Sequence, residues 1–170
     1  MDTLDNIQSE NEPRPKFLTV LCILTFIATG MSLLTGIYNL LITGRQSKDA
    51  MLGAKVEMTQ SINEMKDLGM TGFVELLEKI QRMSVEINDN FYFAGLFGLL
   101  LTIIGLYSAI RMWKGSKLGF HIYIIYNLLA IGGLYLYVSP ANVPSVFVIF
   151  NVVLSVAFIF MYSRNLKWMR

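Results

Sequence analysis

The fold is decided by a short basic turn, Arg111-Met112-Trp113-Lys114-Gly115-Ser116-Lys117. This turn separates two apolar runs, residues 91–110 and 118–138, and each is about as long as the ~20 residues that a helix needs to cross a bilayer. Cations concentrate in the cytoplasmic loops of membrane proteins, and Trp is enriched at the interface. The turn therefore predicts two membrane helices that are joined on the cytoplasmic side.

The distribution of charge extends this interpretation to the whole chain of 170 residues. Asp, Glu, Lys and Arg are absent from residues 17–44, 90–110 and 118–163. Segments of that length without charge cannot form a water-exposed surface, so they must face lipid or one another. We expect an all-α integral membrane protein whose four transmembrane helices span residues 17–43, 90–112, 118–138 and 145–163.

The short connections between these helices predict the orientation. Cations occur in residues 1–16, in the 113–117 turn with the adjoining Arg111, and in residues 164–170, whereas the 139–144 turn has none. We therefore expect a cytoplasmic tail at 1–16, a cytoplasmic end at 164–170 and an outer turn at 139–144. The predicted topology anchors are Arg111, Trp113, Lys114, Lys117, Arg164, Lys167 and Trp168.

Residues 44–89 are the only long polar stretch, and their apolar residues recur at helical spacing. Glycines at 69 and 72 favour a break in the middle. Glu75–Lys79, Glu78–Arg82 and Arg82–Glu86 are spaced as ion pairs along the second helix. We expect a helical hairpin between transmembrane helices 1 and 2, on the extracytoplasmic side, either standing out from the membrane or lying on it.

The predicted partner surface of this hairpin is its apolar stripe, which consists of Met51, Met58, Met65, Phe73, Leu77 and Ile80. The three methionines lie one heptad apart, so they share one helix face. The two rows can bury each other, and what remains exposed would be an adaptable contact surface. Self-packing within the hairpin is the alternative.

Small and polar residues within the apolar segments predict close helix packing. They are Ala28, Ser32, Gly36, Ala94, Gly98, Thr102, Asn127 and Asn151. Small residues four apart let a neighbouring helix approach, but they do not show whether that neighbour is in the same chain. The asparagines fit interhelical hydrogen bonds, and Asn127 and Asn151 also fit the lining of a solute path.

Chemistry-bearing residues are sparse. Cys22 and His121 are the only residues of their types, so the sequence offers no metal framework and no cofactor site. A net charge of +2 does not favour nucleic acid as a partner. Ser108 with His121 on the next helix is a weak alternative as a nucleophile and base, because both lie at the predicted membrane edge. We expect a protein that is not an enzyme.

Two stretches resemble small multi-helix membrane proteins of Bacteroidota that have no established activity. They are residues 14–27 (RPKFLTVLCILTFI) and residues 117–123 (KLGFHIY). The resemblance implies a location in a bacterial inner membrane and carries over no catalytic residues.

These patterns favour a non-enzymatic accessory or scaffold subunit that binds another membrane or envelope protein, or a second copy of itself. The alternative is an oligomeric carrier or binder of a small neutral or lipid-like solute.

Overall fold

The structure is a computed structural model and describes residues 14–44, 46 and 48–170. This part of the chain forms six α-helices and contains no strand. The helices are α1 (Lys16–Tyr38), α2 (Lys48–Asp67), α3 (Thr71–Asp89), α4 (Phe91–Trp113), α5 (Lys117–Gly133) and α6 (Ser145–Ser163). A π-helical segment, Asn39–Thr43, continues α1, and two 3₁₀ turns, Leu134–Leu136 and Pro140–Asn142, connect α5 to α6. The predicted tail at 1–16 lies outside the described residues up to position 13.

Four helical segments are long and apolar enough to cross a membrane: Lys16–Thr43, Phe91–Trp113, Lys117–Leu136 and Ser145–Ser163. The all-α class with four such helices is confirmed. The polar stretch forms α2 and α3, which pack against each other as an antiparallel hairpin.

Two glycines end helices in the way that the sequence favours. Gly69 and Gly115 have φ angles of +72° and +76°, in the left-handed region where a side chain is disfavoured. After α4, the Gly115 N–H donates to the Met112 carbonyl oxygen and the Ser116 N–H to that of Arg111. This pair of bonds is a Schellman motif, and the same pattern closes α2 at Gly69.

Helix α5 is shorter than the predicted span of 118–138. It ends at Gly133, and the chain tightens into the 3₁₀ turn Leu134–Leu136. Gly132 and Gly133 explain the early end, because glycine is among the least favourable residues in a helix.

Helix α4 is central and packs most extensively against α1 and α5. Helix α6 lies against α5 and touches α1 at a few positions. The buried core occupies one end of the bundle, where α1 begins and α4 ends; among its members are Leu18, Cys22, Met112, Tyr162 and Met169. We call this the basic end, because the 111–117 turn and residues 164–170 also lie there.

The segment after α6 folds back onto the basic turn. The Lys117 N–H donates to the Arg170 carbonyl oxygen at 2.9 Å, and the Arg170 N–H donates to that of Gly115 at 2.6 Å. Arg14 lies at the same end, with its guanidinium carbon 3.8 Å from the centre of the Trp113 ring. Both ends of the described chain therefore meet at the basic end.

Candidate functional site

A groove runs between α2 and α3, and it contains most of the predicted partner surface. Met51, Met58 and Met65 line one wall, and Leu77 and Val85 line the other. The groove has a volume of ≈ 610 Å³, within the range of about 300–1,000 Å³ that is typical of small-molecule sites. We call it the methionine groove. Its rim is polar, with Lys55, Glu57 and Gln81.

Few side chains of the two hairpin helices are fully buried. Ile62 and Val74 are buried, and the three groove methionines are half-buried. Ile80 is also half-buried, whereas Phe73 is 54% exposed. The two rows therefore pack on each other in part, and a methionine-rich strip stays accessible between them.

Glu86 ties the hairpin to the α5–α6 connection. Its carboxylate accepts a hydrogen bond from the Ser139 N–H at 2.6 Å and one from the Asn142 side-chain amide at 2.7 Å. The Asn90 side chain adds a bond to the Tyr137 carbonyl oxygen at 3.1 Å. Bonds to a charged acceptor are the stronger kind. The base of α3 is therefore held against residues 137–142.

Asn88 closes the base of the hairpin from inside. It is buried, accepts a bond from the Gln46 N–H at 3.0 Å, and donates to the Met51 sulfur at 2.8 Å. The first methionine of the groove is therefore positioned by a buried amide. The sequence pattern gave no signal for these contacts, because the partners of Asn88 lie 42 and 37 positions away.

Two of the three predicted ion pairs of α3 form. Lys79 lies 2.9 Å from Glu75, and Arg82 lies 3.9 Å from Glu78, which is also 3.5 Å from Lys66. The hydrogen bond and charge of Lys79 hold the pKa of Glu75 below its usual range. The described contacts of Glu86 are those to Ser139 and Asn142, because the carboxylate points to the loop rather than along the helix.

The small-residue positions divide into packed and open ones. A Cβ added at Gly36 would lie 2.7 Å from the Leu99 side chain, so this glycine lets α1 approach α4. Thr102 is buried and Ala94 half-buried on α4. Ala28, Ser32 and Gly98 are exposed, and no atom lies within 4 Å of a Cβ built at Gly98.

A close approach of two helix backbones involves a glycine that the sequence analysis did not single out. A Cβ at Gly119 of α5 would lie 2.5 Å from the Met112 backbone nitrogen and 2.8 Å from the Ser108 carbonyl oxygen. Gly133 is similarly tight against the Phe97 ring. Spacing alone could not find these positions, because each depends on which residue of α4 lies opposite.

A second groove opens sideways between α1 and α4, with a volume of ≈ 550 Å³. We call it the lateral groove. Its walls contain the polar or small residues Ser32, Thr35, Asn39, Gly98 and Thr102. Asn39 also begins the π-helical segment, a distortion that is frequent at functional sites.

Asn127 and Asn151 lie in different environments. Asn127 is buried on α5 and donates to the Tyr123 carbonyl oxygen, whereas Asn151 is exposed on α6 and donates to that of Phe147. Both amides thus bond within their own helices at 2.8 Å. Their described bonds differ from the predicted interhelical ones, because each amide reaches the carbonyl one turn earlier.

Seven predicted topology anchors gather at the basic end. Lys114, Lys117, Arg164 and Lys167 are exposed, and Arg111, Trp113 and Trp168 are half-buried. The Trp168 ring covers Gly115, 3.1 Å from the place of a Cβ there. The Arg14 guanidinium carbon lies 5.9 Å from the centre of the Trp168 ring, in addition to its contact with Trp113. Cation–π contacts thus connect the start of α1 to both tryptophans.

Ser108 and His121 have separate partners. The Ser108 hydroxyl is buried and donates to the Gly105 carbonyl oxygen at 2.7 Å. His121 is exposed, with its Nδ1 2.9 Å from the Lys117 carbonyl oxygen. Among residues 14–44, 46 and 48–170, no group of three or more His, Cys, Asp or Glu residues is placed to hold a metal ion.

Comparisons with known proteins give no relative of this chain. No family model, no curated protein and no solved structure matches it. The resemblance to small membrane proteins of Bacteroidota stays a prediction.

Proposed function

We propose that this chain is a non-enzymatic, multi-pass membrane protein that serves as an accessory or scaffold subunit. Its partner is another membrane or envelope protein, which docks on the α2–α3 hairpin. The observation that carries the proposal is the methionine groove, where three methionines at heptad spacing face Leu77 and Val85 across an open cleft.

The chemistry of the groove suits a protein partner. Methionine is unbranched and polarizable, so a methionine-rich surface adapts to apolar side chains of different shapes. The mixed charges of the rim, Lys55 and Glu57, add polar contacts around an apolar centre. An apolar centre with a polar rim is the usual anatomy of a protein interface.

The hairpin is also presented in a defined position. The Glu86 carboxylate holds the base of α3 to the α5–α6 connection, and Asn88 holds the start of the hairpin. A surface that is ordered before binding loses less conformational entropy when a partner docks. This supports a docking role over a loosely tethered loop.

The membrane setting follows from the four apolar helices and the rule that cations favour the cytoplasmic side. We place the basic end in the cytoplasm, both termini with it, and the hairpin outside, in the inner membrane of a bacterium. The meeting of Arg14, the 111–117 turn and the 164–170 segment at one end supports this orientation.

Site-specific photocrosslinking in cells tests the proposal. A photoreactive amino acid replaces Met58 or Leu77 in the groove, and mass spectrometry identifies what is captured. Val56 is the matched control, because it is exposed on α2 and does not line the groove. We expect one foreign protein from Met58 and Leu77 but not from Val56. Equal capture from all three positions, or capture from none, would contradict a docking role for the groove.

The lateral groove favours a second candidate function, the binding of a lipid-like solute. Ser32, Thr35, Asn39 and Thr102 place polar groups in a cleft that opens sideways between two apolar helices. A molecule with an apolar chain and a small polar head has matching chemistry.

Filling the lateral groove separates the two functions. Gly98→Leu adds a side chain where no atom lies within 4 Å, and Gly132→Leu does the same on α5 outside the groove. If the solute function holds, lipid that co-purifies with the protein decreases in the Gly98 variant only. Unchanged lipid in both variants would remove this candidate and leave the docking proposal intact.

A further inference from the structure

The basic end collects positive charge from separate parts of the chain. Eight of the 14 Lys and Arg residues belong to it: Arg14, Lys16, Arg111, Lys114, Lys117, Arg164, Lys167 and Arg170. They come from the start of α1, the α4–α5 turn and the segment after α6. The contacts of Arg14 with Trp113 and of Arg170 with Gly115 bring these segments together.

Within the described part of the chain, no acidic residue lies in the three segments that supply these cations. Outside residues 1–12, every Asp and Glu of the sequence lies between positions 49 and 89, in the hairpin. Residues 1–12 contain four acids, half the number of cations at the basic end. On the hairpin, by contrast, Lys66, Lys79 and Arg82 each lie within 4.0 Å of a glutamate. The basic end therefore carries excess positive charge that the hairpin does not.

The geometry adds two features that point to the headgroup region of a bilayer. Trp113 and Trp168 both lie close to the Arg14 guanidinium, and Trp is enriched at membrane–water interfaces. The Nε atoms of Arg14 and Arg111 are buried without a hydrogen-bond partner among the described residues. Both atoms belong to charged side chains at the end of the bundle that carries the two tryptophans.

We propose that the basic end binds the headgroups of anionic phospholipids. The exposed Lys114, Lys117, Arg164 and Lys167 contact the phosphates and the net negative surface, and the two tryptophans fix the depth of this end. Basic segments next to a membrane helix are attracted to anionic lipid in this way. The inference does not rest on the docking function, since it concerns lipid alone.

Native mass spectrometry of the full chain in detergent tests it. Phosphatidylglycerol and phosphatidylcholine with the same acyl chains are titrated separately, so that only the headgroup charge differs. The basic-end variant carries Lys114→Gln, Arg164→Gln and Lys167→Gln. The matched control carries Lys55→Gln, Lys66→Gln and Lys79→Gln, which remove the same charge from the hairpin.

We expect the wild-type chain to bind phosphatidylglycerol more tightly than phosphatidylcholine. The basic-end variant should lose about fivefold in phosphatidylglycerol affinity for each removed cation, while its phosphatidylcholine affinity and melting temperature stay unchanged. The hairpin control should retain the wild-type preference.

Three results would overturn the proposal. They are equal affinity for both lipids, an equal loss in the hairpin control, and displacement of phosphatidylglycerol by inorganic phosphate at the same concentration. The last result would show a site for free anions instead of lipid headgroups.

Discussion

The basic end and the hairpin are built in opposite ways. At the basic end, Leu18, Cys22, Met112 and Tyr162 are fully buried and form one cluster with Met169 and the aromatic rings around it. In the hairpin, Ile62 and Val74 are buried, and the methionines stay half-buried along an open groove. The chain therefore buries most of its fully enclosed side chains where the helices and the two ends of the described chain meet. It leaves adaptable surface on the part that we propose to bind a partner.

The largest expected loss of stability comes from a substitution where α4 and α5 approach closely. Gly119→Ala places a methyl group 2.5 Å from a backbone nitrogen of α4, so the two helices must separate. Overpacking of this kind destabilises a protein by about 1–3 kcal/mol. Thermal unfolding in detergent measures the loss. Gly132→Ala on the same helix is the control, because its new methyl group meets no atom within 4 Å. Equal stability of the two variants would contradict the close crossing.

A smaller effect follows from the polar contact inside the same cluster. The hydroxyl groups of Tyr162 and Thr25 lie 2.8 Å apart and are buried. Tyr162→Phe removes this bond and should destabilise the protein by about 1 kcal/mol, a typical value for a hydrogen bond within the membrane. The control is Tyr135→Phe, because Tyr135 is exposed. If the control lowers the melting temperature as much, the buried bond does not stabilise the cluster.

The third prediction concerns how the hairpin is held. Glu86→Ala removes the acceptor for the Ser139 N–H and the Asn142 amide. Loss of about 1 kcal/mol of local stability corresponds to roughly fivefold faster hydrogen exchange. Hydrogen exchange at the Ser139 amide measures the change, and the melting temperature should stay within about a degree because the basic end is untouched. Glu64→Ala on α2 is the control. Slow exchange at Ser139 in the Glu86 variant would contradict the anchoring role.

The helices of the basic end and of the hairpin could be predicted from the sequence, whereas the contacts between them could not. The uncharged runs and the basic turn predicted four apolar helices, because a long segment without charged residues is stable in lipid and not in water. The hairpin followed from helical periodicity. Those signals are local, so they need no knowledge of what lies opposite each residue.

The contacts between distant segments could not be predicted from the sequence, because local spacing does not show which residues face each other. Glu86 was expected to pair with Arg82 because the two lie four residues apart, whereas its observed partners lie more than 50 positions away. Gly119 was not singled out, because a lone glycine gives no spacing signal. Ala28 and Ser32 had the right spacing, yet they are exposed. Spacing shows which residues share a helix face but not which helix covers it.

The smallest effect concerns a solvent-exposed ion pair of the hairpin. The hydrogen bond and charge of Lys79 lower the pKa of Glu75, and Arg82 contributes less. A depressed pKa in the folded state stabilises the hairpin above the unfolded pKa, and this contribution disappears as the pH falls through the folded value. Lys79→Met should therefore raise the pKa of Glu75 more than Arg82→Met does. Carboxyl NMR titration of Glu75 measures both, and equal shifts would contradict the order of the two causes.

Methyl NMR of the methionines tests directly whether the groove is more mobile than the basic-end core. Met112 and Met169 lie in the basic-end core, and Met58 and Met65 lie in the methionine groove. With ¹³C-methyl methionine in the detergent-solubilised chain, relaxation reports the picosecond-to-nanosecond mobility of each methyl group. We expect restricted methyl groups at Met112 and Met169 and mobile ones at Met58 and Met65. Methyl groups in the groove that are as restricted as that of Met112 would contradict an adaptable docking surface.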